Sequence, residues 1–421
     1  MIARLLRARE AIGLVLIALG VRVAAAVVLK PKTGVDGAGY LSSAQALRDH
    51  GLAAIAGLPI EHSPTYPLVL WLGLLLPVDV SWFVVIVQAL VGAATVLVLV
   101  RLTQRETRDR QAARAAGVIA AIQITFVFWT TYLLSETVFL FLIAVTADRT
   151  LVLKSSRHLL RDATLVGVLA LLSISVRPTG VAFMVALLIT IIAIGRQGLV
   201  TRLGGFLLPT VVISVLVFSS AAIGHNSQST GLVERVGDWA RSAVKNGLLE
   251  TEQGRATSGV DLDLAEPPIL ETLPADQRQE FVQSGPLVFA VHHPSFVLEQ
   301  TARKFKIFWE PATPDYSRAH ALGSTAYFLI FYALAVVGAI YGIRYRLLFV
   351  VCVASVAMFT LTSLATIVDY DQRYRLPAEL FLVPLAGIGL AFVGRWRNHR
   401  VVSTAPARPE RELAGSGEVR G

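Results

Sequence analysis

Apolar runs alternate with short basic or mixed polar stretches along almost the whole chain. The first run, Ala11–Leu29, is closed by the polar stretch Lys30–Tyr40. Further runs are Ser81–Val100, Ala113–Thr130, Thr137–Leu153, Ala163–Val176, Gly180–Ile194, Leu203–Ala222, Gly323–Gly342, Leu347–Ile367 and Pro377–Val393. Most come close to the ~20 residues that a helix needs to cross a hydrocarbon core. No run shows the strict alternation of a lipid-embedded barrel strand. The pattern predicts an all-α polytopic membrane protein, a bundle of about ten transmembrane helices.

Two pieces depart from the pattern and decide the topology. Tyr40–Ala56 sets Leu41, Ala44, Ala46 and Leu47 against Gln45, Arg48 and Asp49. It is too polar to span and suits an interfacial helix. Leu68–Leu76 is apolar but too short for a crossing. If it stays at the surface, the basic stretch Arg101, Arg105, Arg108, Arg110 and Arg114 faces the cytoplasm, as the positive-inside rule favours. Lys154, Arg157 and Arg161, then Arg196 and Arg202, then Arg344 and Arg346, and finally Arg395, Arg397 and Arg400 then also fall inside. Both termini are expected in the cytoplasm, in a plasma-membrane protein. Arg4, Arg7 and Arg9 ahead of the first run fit a retained anchor better than a signal cleaved near Ala24-Ala25-Ala26.

Four regions are expected. Residues 1–223 form an N-terminal transmembrane module with the first outer loop. Residues 224–322 form an extracytoplasmic segment, mainly helical, with helical spacing over Leu232–Leu249 and Pro274–Phe308. Residues 323–395 supply the C-terminal transmembrane helices, and 396–421 read as a disordered cytoplasmic tail. No repeat or pair of interrupted helices in matching halves marks an inverted-repeat transporter.

Composition agrees. The chain is 54% hydrophobic and 16% charged, with mean hydropathy +0.63, against about 25% charged residues in soluble domains. The net charge of +9 is accounted for by the basic loops, and no nucleic-acid motif accompanies it, so no nucleic-acid partner is expected. Cys352, alone in an apolar run, is a packing residue that cannot form an internal disulfide.

The chemistry lies at the other ends of the spans. Asp36 sits among glycines, either as an ordinary turn residue or as a general base near the membrane surface. Glu61 and Glu136 are candidate second acids. For Glu136 a structural alternative exists, with Ser135 capping a helix and the glutamate in its first turn. Tyr40, His62, Tyr66, Asp369 and Tyr374 are candidate acceptor or sugar contacts. Arg177, Arg373 and Arg375 run against the charge bias, and guanidiniums near the headgroup plane suit a phosphate. The alternative pairs Arg373 or Arg375 with Asp369 or Asp371. Lys304 and Lys306 add to the same field or hold anionic lipid. No cluster has metal-ligand spacing, so neither a metal nor another cofactor is expected.

These residues fall into motifs: Asp36-Gly-Ala-Gly-Tyr40-Leu, His62-Ser-Pro-Thr-Tyr-Pro-Leu, Leu134-Ser-Glu136-Thr-Val-Phe, Val176-Arg-Pro-Thr-Gly180, His293-Pro-Ser-Phe-Val-Leu and Gln372-Arg-Tyr-Arg-Leu-Pro377. In type and order they resemble the GT-C class of membrane glycosyltransferases, in the protein-mannosyltransferase and aminoarabinose-transferase-like superfamily. The resemblance implies a GT-C-like bundle with juxtamembrane helices and a polyprenyl-phosphate-linked sugar donor. It implies a glycan, lipid or protein acceptor and inverting transfer at an extracytoplasmic site. By the family's pattern Asp36 would be the base, Glu136 a second acid, and Arg177, Arg373 and Arg375 the stabilisers of the leaving phosphate. The chain departs from the family at Gly37, where a second acid is common, and at Ser63, where His-Pro-Pro is common. Two other readings compete: a lipid-linked sugar flippase, which needs no base, and an assembly partner with no site.

Overall fold

The computed structural model describes residues 2–51, 54, 65–223, 273–284, 286–312, 317–365 and 372–403. Among them are sixteen α-helices and no strand. They are α1 (Ile2–Leu29), α2 (Gly34–His50), α3 (Thr65–Leu74), α4 (Val80–Thr107), α5 (Arg110–Ile122), α6 (Ile124–Trp129), α7 (Glu136–Val152) and α8 (Leu159–Val176). They continue with α9 (Gly180–Ile194), α10 (Leu199–Ile223), α11 (Ala275–Ser284), α12 (Pro286–His292), α13 (Pro294–Trp309), α14 (Arg318–Gly342), α15 (Arg346–Ala365) and α16 (Leu376–Ser403).

Among the described residues six stretches are long and apolar enough to cross a membrane as single helices: Arg9–Leu29, Val80–Thr107, Leu159–Val176, Arg318–Gly342, Arg346–Ala365 and Arg373–Trp396. The protein is an all-α, multi-pass membrane protein. Its central span is the last, with 78% of its apolar window buried, whereas the first lies at the periphery with 17%. Gly338 of α14 and Gly389 of α16 let those helices cross in backbone contact, since a Cβ on either would meet a carbonyl of the other helix.

The span expected over Ala113–Thr130 is two helices, α5 and α6, broken at Gln123, whose ψ of 114° leaves the helical region. A break frees carbonyls inside the bundle. Arg22, buried in α1, meets one of them: its Nη1 donates to Ala121 O (3.2 Å) and to Ala18 O (3.0 Å). The stretch expected as a glycine-rich turn around Asp36 is helix. Gly34, at φ +64°, makes the corner, and α2 begins there, six residues ahead of the expected Tyr40. Asp36 lies in the first turn, where a carboxylate opposes the helix dipole. The last helix likewise runs beyond 395, to Ser403. Residues 232–249 and 404–421 lie outside the described residues.

Ion pairs sort the helix ends. At one end, Glu10 of α1 binds Arg110 and Arg114 of α5, Asp148 of α7 binds Arg105 of α4, and Asp109 binds Arg395 of α16. At the other, Lys32 pairs with the backbone at 131–133, and Asp36 and Glu136 gather the arginines. The two ends are separated by the part of α1 from Glu10 to Leu29, about 30 Å for its helical rise. Helix α3 has both of its own ends at the second face. Thr65 Oγ1 is 2.8 Å from Ser175 Oγ, and Gly73 packs on Val80 and Phe83 at the start of α4. Ten residues rise only about 15 Å, so α3 does not cross.

Candidate active site

The site is assembled from the loops that join α1 to α2, α6 to α7 and α8 to α9, and from a 3₁₀ turn, Arg373–Arg375, ahead of α16. The first two are zipped together by the backbone. Lys32 N–H donates to Thr131 O and Leu133 N–H to Lys32 O, both at 2.9 Å. Gly37 follows from that contact, since a Cβ there would stand 2.9 Å from Leu133 O. A side chain at this position would press on the backbone of the facing loop.

Four charged side chains meet. Arg373 Nη2 lies 2.5 Å from Asp36 Oδ2, and its Nε lies 2.9 Å from Glu136 Oε1. Arg177, at the end of α8, pairs with the same Glu136 oxygen. Tyr374 lies beneath both guanidiniums, at 5.4 Å from Arg373 and 5.9 Å from Arg177. Glu136 is 3% exposed and the two arginines 11 and 12%, but Asp36 is 33% exposed. Asp36 is therefore the member of the cluster most open to an incoming group. A narrow cleft runs from the cluster between Phe139, Thr179, Phe359, Thr362, Ser363 and Tyr374.

Ser135 does not cap α7. Its backbone is helical, it makes no capping bond, and its hydroxyl is 3.4 Å from Tyr40 Oη. Tyr66 packs edge-on to Tyr40 at 5.0 Å and is fully buried. Burial pushes both phenols up in pKa, reinforced by the charge of Glu136, although Arg177 opposes it at Tyr40. Both remain protonated. They form a wall behind Glu136 rather than a surface that meets an acceptor.

Arg375 is placed differently. Its side chain is wholly buried and turned away from the acids. Nε donates to Glu379 Oε1 (2.5 Å), and Nη1 donates to Glu310 O (2.7 Å) and Phe308 O (3.3 Å). The internal pair weighed for Arg375 is thus met by Glu379, one helical turn on. Glu61, His62, Asp369 and Asp371 lie outside the described residues. Glu379 and Gln123 had not been singled out, although Arg375 and Glu379 stand four residues apart, the spacing of a helical ion pair, at the head of an apolar run. Among the described residues no group of three or more histidines, cysteines or carboxylates could hold a metal ion.

Residues 61–223 match the family model described as dolichyl-phosphate-mannose-protein mannosyltransferase. That family is one of membrane glycosyltransferases of the GT-C type, and the chain is similar to it over this stretch. The matched stretch carries Glu136 and Arg177 and all helices from α3 to α10. The match favours an enzyme over the flippase and the assembly partner. No curated protein matches the chain.

Proposed function

We propose that this GT-C glycosyltransferase moves a sugar from a polyprenyl-phosphate donor to a hydroxyl or amine of an extracytoplasmic acceptor, with inversion at the anomeric carbon. The observation that carries the reading is the pairing of one accessible acid with two enclosed arginines around a shared second acid. Asp36 takes the acceptor's proton as the acceptor oxygen or nitrogen bonds to the anomeric carbon. The bond from that carbon to the phosphate oxygen breaks, and the electron pair leaves on the polyprenyl phosphate. Arg373 and Arg177 meet the added negative charge on that phosphate, and Glu136 fixes the direction of both guanidiniums beforehand. Without donor, the two acids neutralise the two arginines. The phosphate then competes with Asp36 for Arg373, and Asp36 is released to act as a base when donor is bound.

The extracytoplasmic side is argued from charge. The end of the bundle away from Asp36 carries Arg101, Arg105, Arg108, Arg110 and Arg114, as cytoplasmic ends do. Both termini then lie in the cytoplasm. The lipid phosphate would sit near the headgroup plane, where the cleft opens beside Tyr374. Arg375, enclosed by Glu379, is assigned to structure around the site rather than to the phosphate.

The test is transfer of label from a polyprenyl-phosphate sugar, with dolichyl-phosphate mannose as the first donor, into membrane or cell-wall acceptors. Asp36→Asn is expected to lower kcat by about 10²- to 10⁴-fold, the contribution of a general base, with insertion and thermal unfolding unchanged. Transfer at the wild-type rate by this variant would remove Asp36 as the base.

A further inference from the structure

We propose that Glu379 is a positioning residue for transfer. Through Arg375, it holds the 3₁₀ turn that delivers Arg373 to the acids. The inference rests on the reading of Arg373 as a ligand of the donor phosphate.

Glu379 is 0% exposed, inside a membrane bundle, and its two oxygens receive three donors. Arg375 Nε binds Oε1 at 2.5 Å. Gln123 Nε2 and Thr125 Oγ1 bind Oε2 at 2.9 and 2.5 Å. Tyr327 of α14 extends the chain by donating to Gln123 Oε1 at 2.6 Å. The helix break at Gln123 is what offers an amide at this depth. From the other side, Arg375 reaches the carbonyls of Phe308 and Glu310 at the end of α13, and its guanidinium lies 4.5 Å from the Phe328 ring centre. The α5–α6 break, α13, α14 and α16 therefore meet around one buried ion pair, Arg375–Glu379.

A buried ion pair is a poor way to gain stability, because apolar residues of similar volume usually do as well or better. It is a good way to fix direction. Arg375 and Arg373 share one tight turn, entered through Gln372 at φ +67°, whose Nε2 is itself held by Pro311 O at 2.9 Å. Arg375 points into the bundle and Arg373 to Asp36 and Glu136. With so little backbone between them, a shift of one guanidinium moves the other.

Four measurements on the whole chain in proteoliposomes test this: mannose transfer from dolichyl-phosphate mannose, binding of dolichyl phosphate alone, hydrogen exchange over residues 372–376, and thermal unfolding. Glu379→Gln is expected to lower kcat roughly 10²-fold, the cost of a misplacement of about 1 Å. It should also weaken dolichyl phosphate binding and speed exchange in the turn. The double variant Arg375→Met/Glu379→Met, which removes both charges together, is expected to recover the thermal stability but not kcat. Recovery of kcat together with stability would show a merely structural pair and overturn the proposal. So would unchanged exchange at 372–376 in Glu379→Gln. A wild-type protein that neither binds dolichyl phosphate nor transfers mannose would count against the donor reading instead, and the exchange arm would still decide the role of Glu379.

Discussion

Both ends of the bundle are tied by arginine–carboxylate pairs, yet they are built differently. At the Glu10 end, Glu10 is 33% exposed and bridges Arg110 and Arg114, which are 45 and 48% exposed. These pairs fasten α1 to α5, α4 to α7 and α16 to the α4–α5 corner, and Asp148, 5% exposed, also meets Arg101 at 3.8 Å. At the Asp36 end, two acids and two arginines lie together beside a cleft, with Tyr374 under both guanidiniums. Exposed pairs are worth little and are screened by salt. Enclosed ones are expensive to leave half made, so a fold keeps them where direction matters. The difference separates fastening from chemistry without appeal to motif.

The strongest way to break that comparison is to treat both ends alike. Glu136→Gln removes the charge shared by Arg177 and Arg373. Asp148→Asn does the same to Arg105 at the opposite end, where Asp148 is 5% exposed. Each removes the most buried acid of its cluster, and each is expected to lower stability by about 3 kcal/mol, read by thermal unfolding in detergent. Only Glu136→Gln should also lower kcat, by about 10²-fold, through loss of preorganised arginines. Equal loss of transfer in both variants would mean that activity simply follows stability.

Gly37→Asp sharpens the local geometry. It supplies the second acid that related enzymes often have, but its Cβ would press on Leu133 O. The expected result is a loss of about 1–3 kcal/mol and lower transfer, because Leu133 belongs to the loop that positions Glu136. A fully active, equally stable variant would show that the 131–135 loop yields.

Much of this fold was legible from the chain. The apolar run Gly180–Ile194 is α9 with the same bounds, and the shortness of Leu68–Leu76 correctly kept α3 at the surface. What sequence could not supply is direction. Arg373 and Arg375 are chemically alike and two residues apart, and only the packing of Phe308, Phe328 and Glu379 turns one inward. The break at Gln123 was hidden in an apolar run, because its reason, Glu379, lies 256 residues away. Asp36 read as a turn because glycines favour turns, whereas the Lys32–Leu133 backbone pairing and the packing of Tyr40 on Tyr66 hold that stretch helical. Asp36, Glu136, Arg177 and Arg373, all singled out from the chain, come together, whereas Arg375, expected at the phosphate beside them, pairs with Glu379 instead.

On α13, Lys304 tests what burial of a charge costs. It is 2% exposed, its Nζ lies 3.3 Å from Leu364 O, and burial lowers its pKa to about 8. The unfolded value is about 10.4, so the unfolded chain binds more protons between pH 8 and 10.4, and stability rises with pH across that window. Below pH 8 the full cost of charging the buried amine is present. Lys304→Met is therefore expected to raise stability at pH 7 by about 1–3 kcal/mol, less the lost hydrogen bond, and the gain should shrink as the pH rises through 8 towards 10.4. A gain independent of pH would assign it to packing.

The smallest effect belongs to Glu10, and it bears on the comparison most directly. Glu10 receives Arg110 and Arg114 together. Because all three side chains stand in water, Glu10→Gln should shift the unfolding temperature only slightly at low salt, and not at all in molar salt, where the screening length is about 3 Å. Transfer should be unchanged. A loss of transfer in Glu10→Gln would join the two ends energetically across the length of α1. Fastening at one face would then be part of the chemistry at the other.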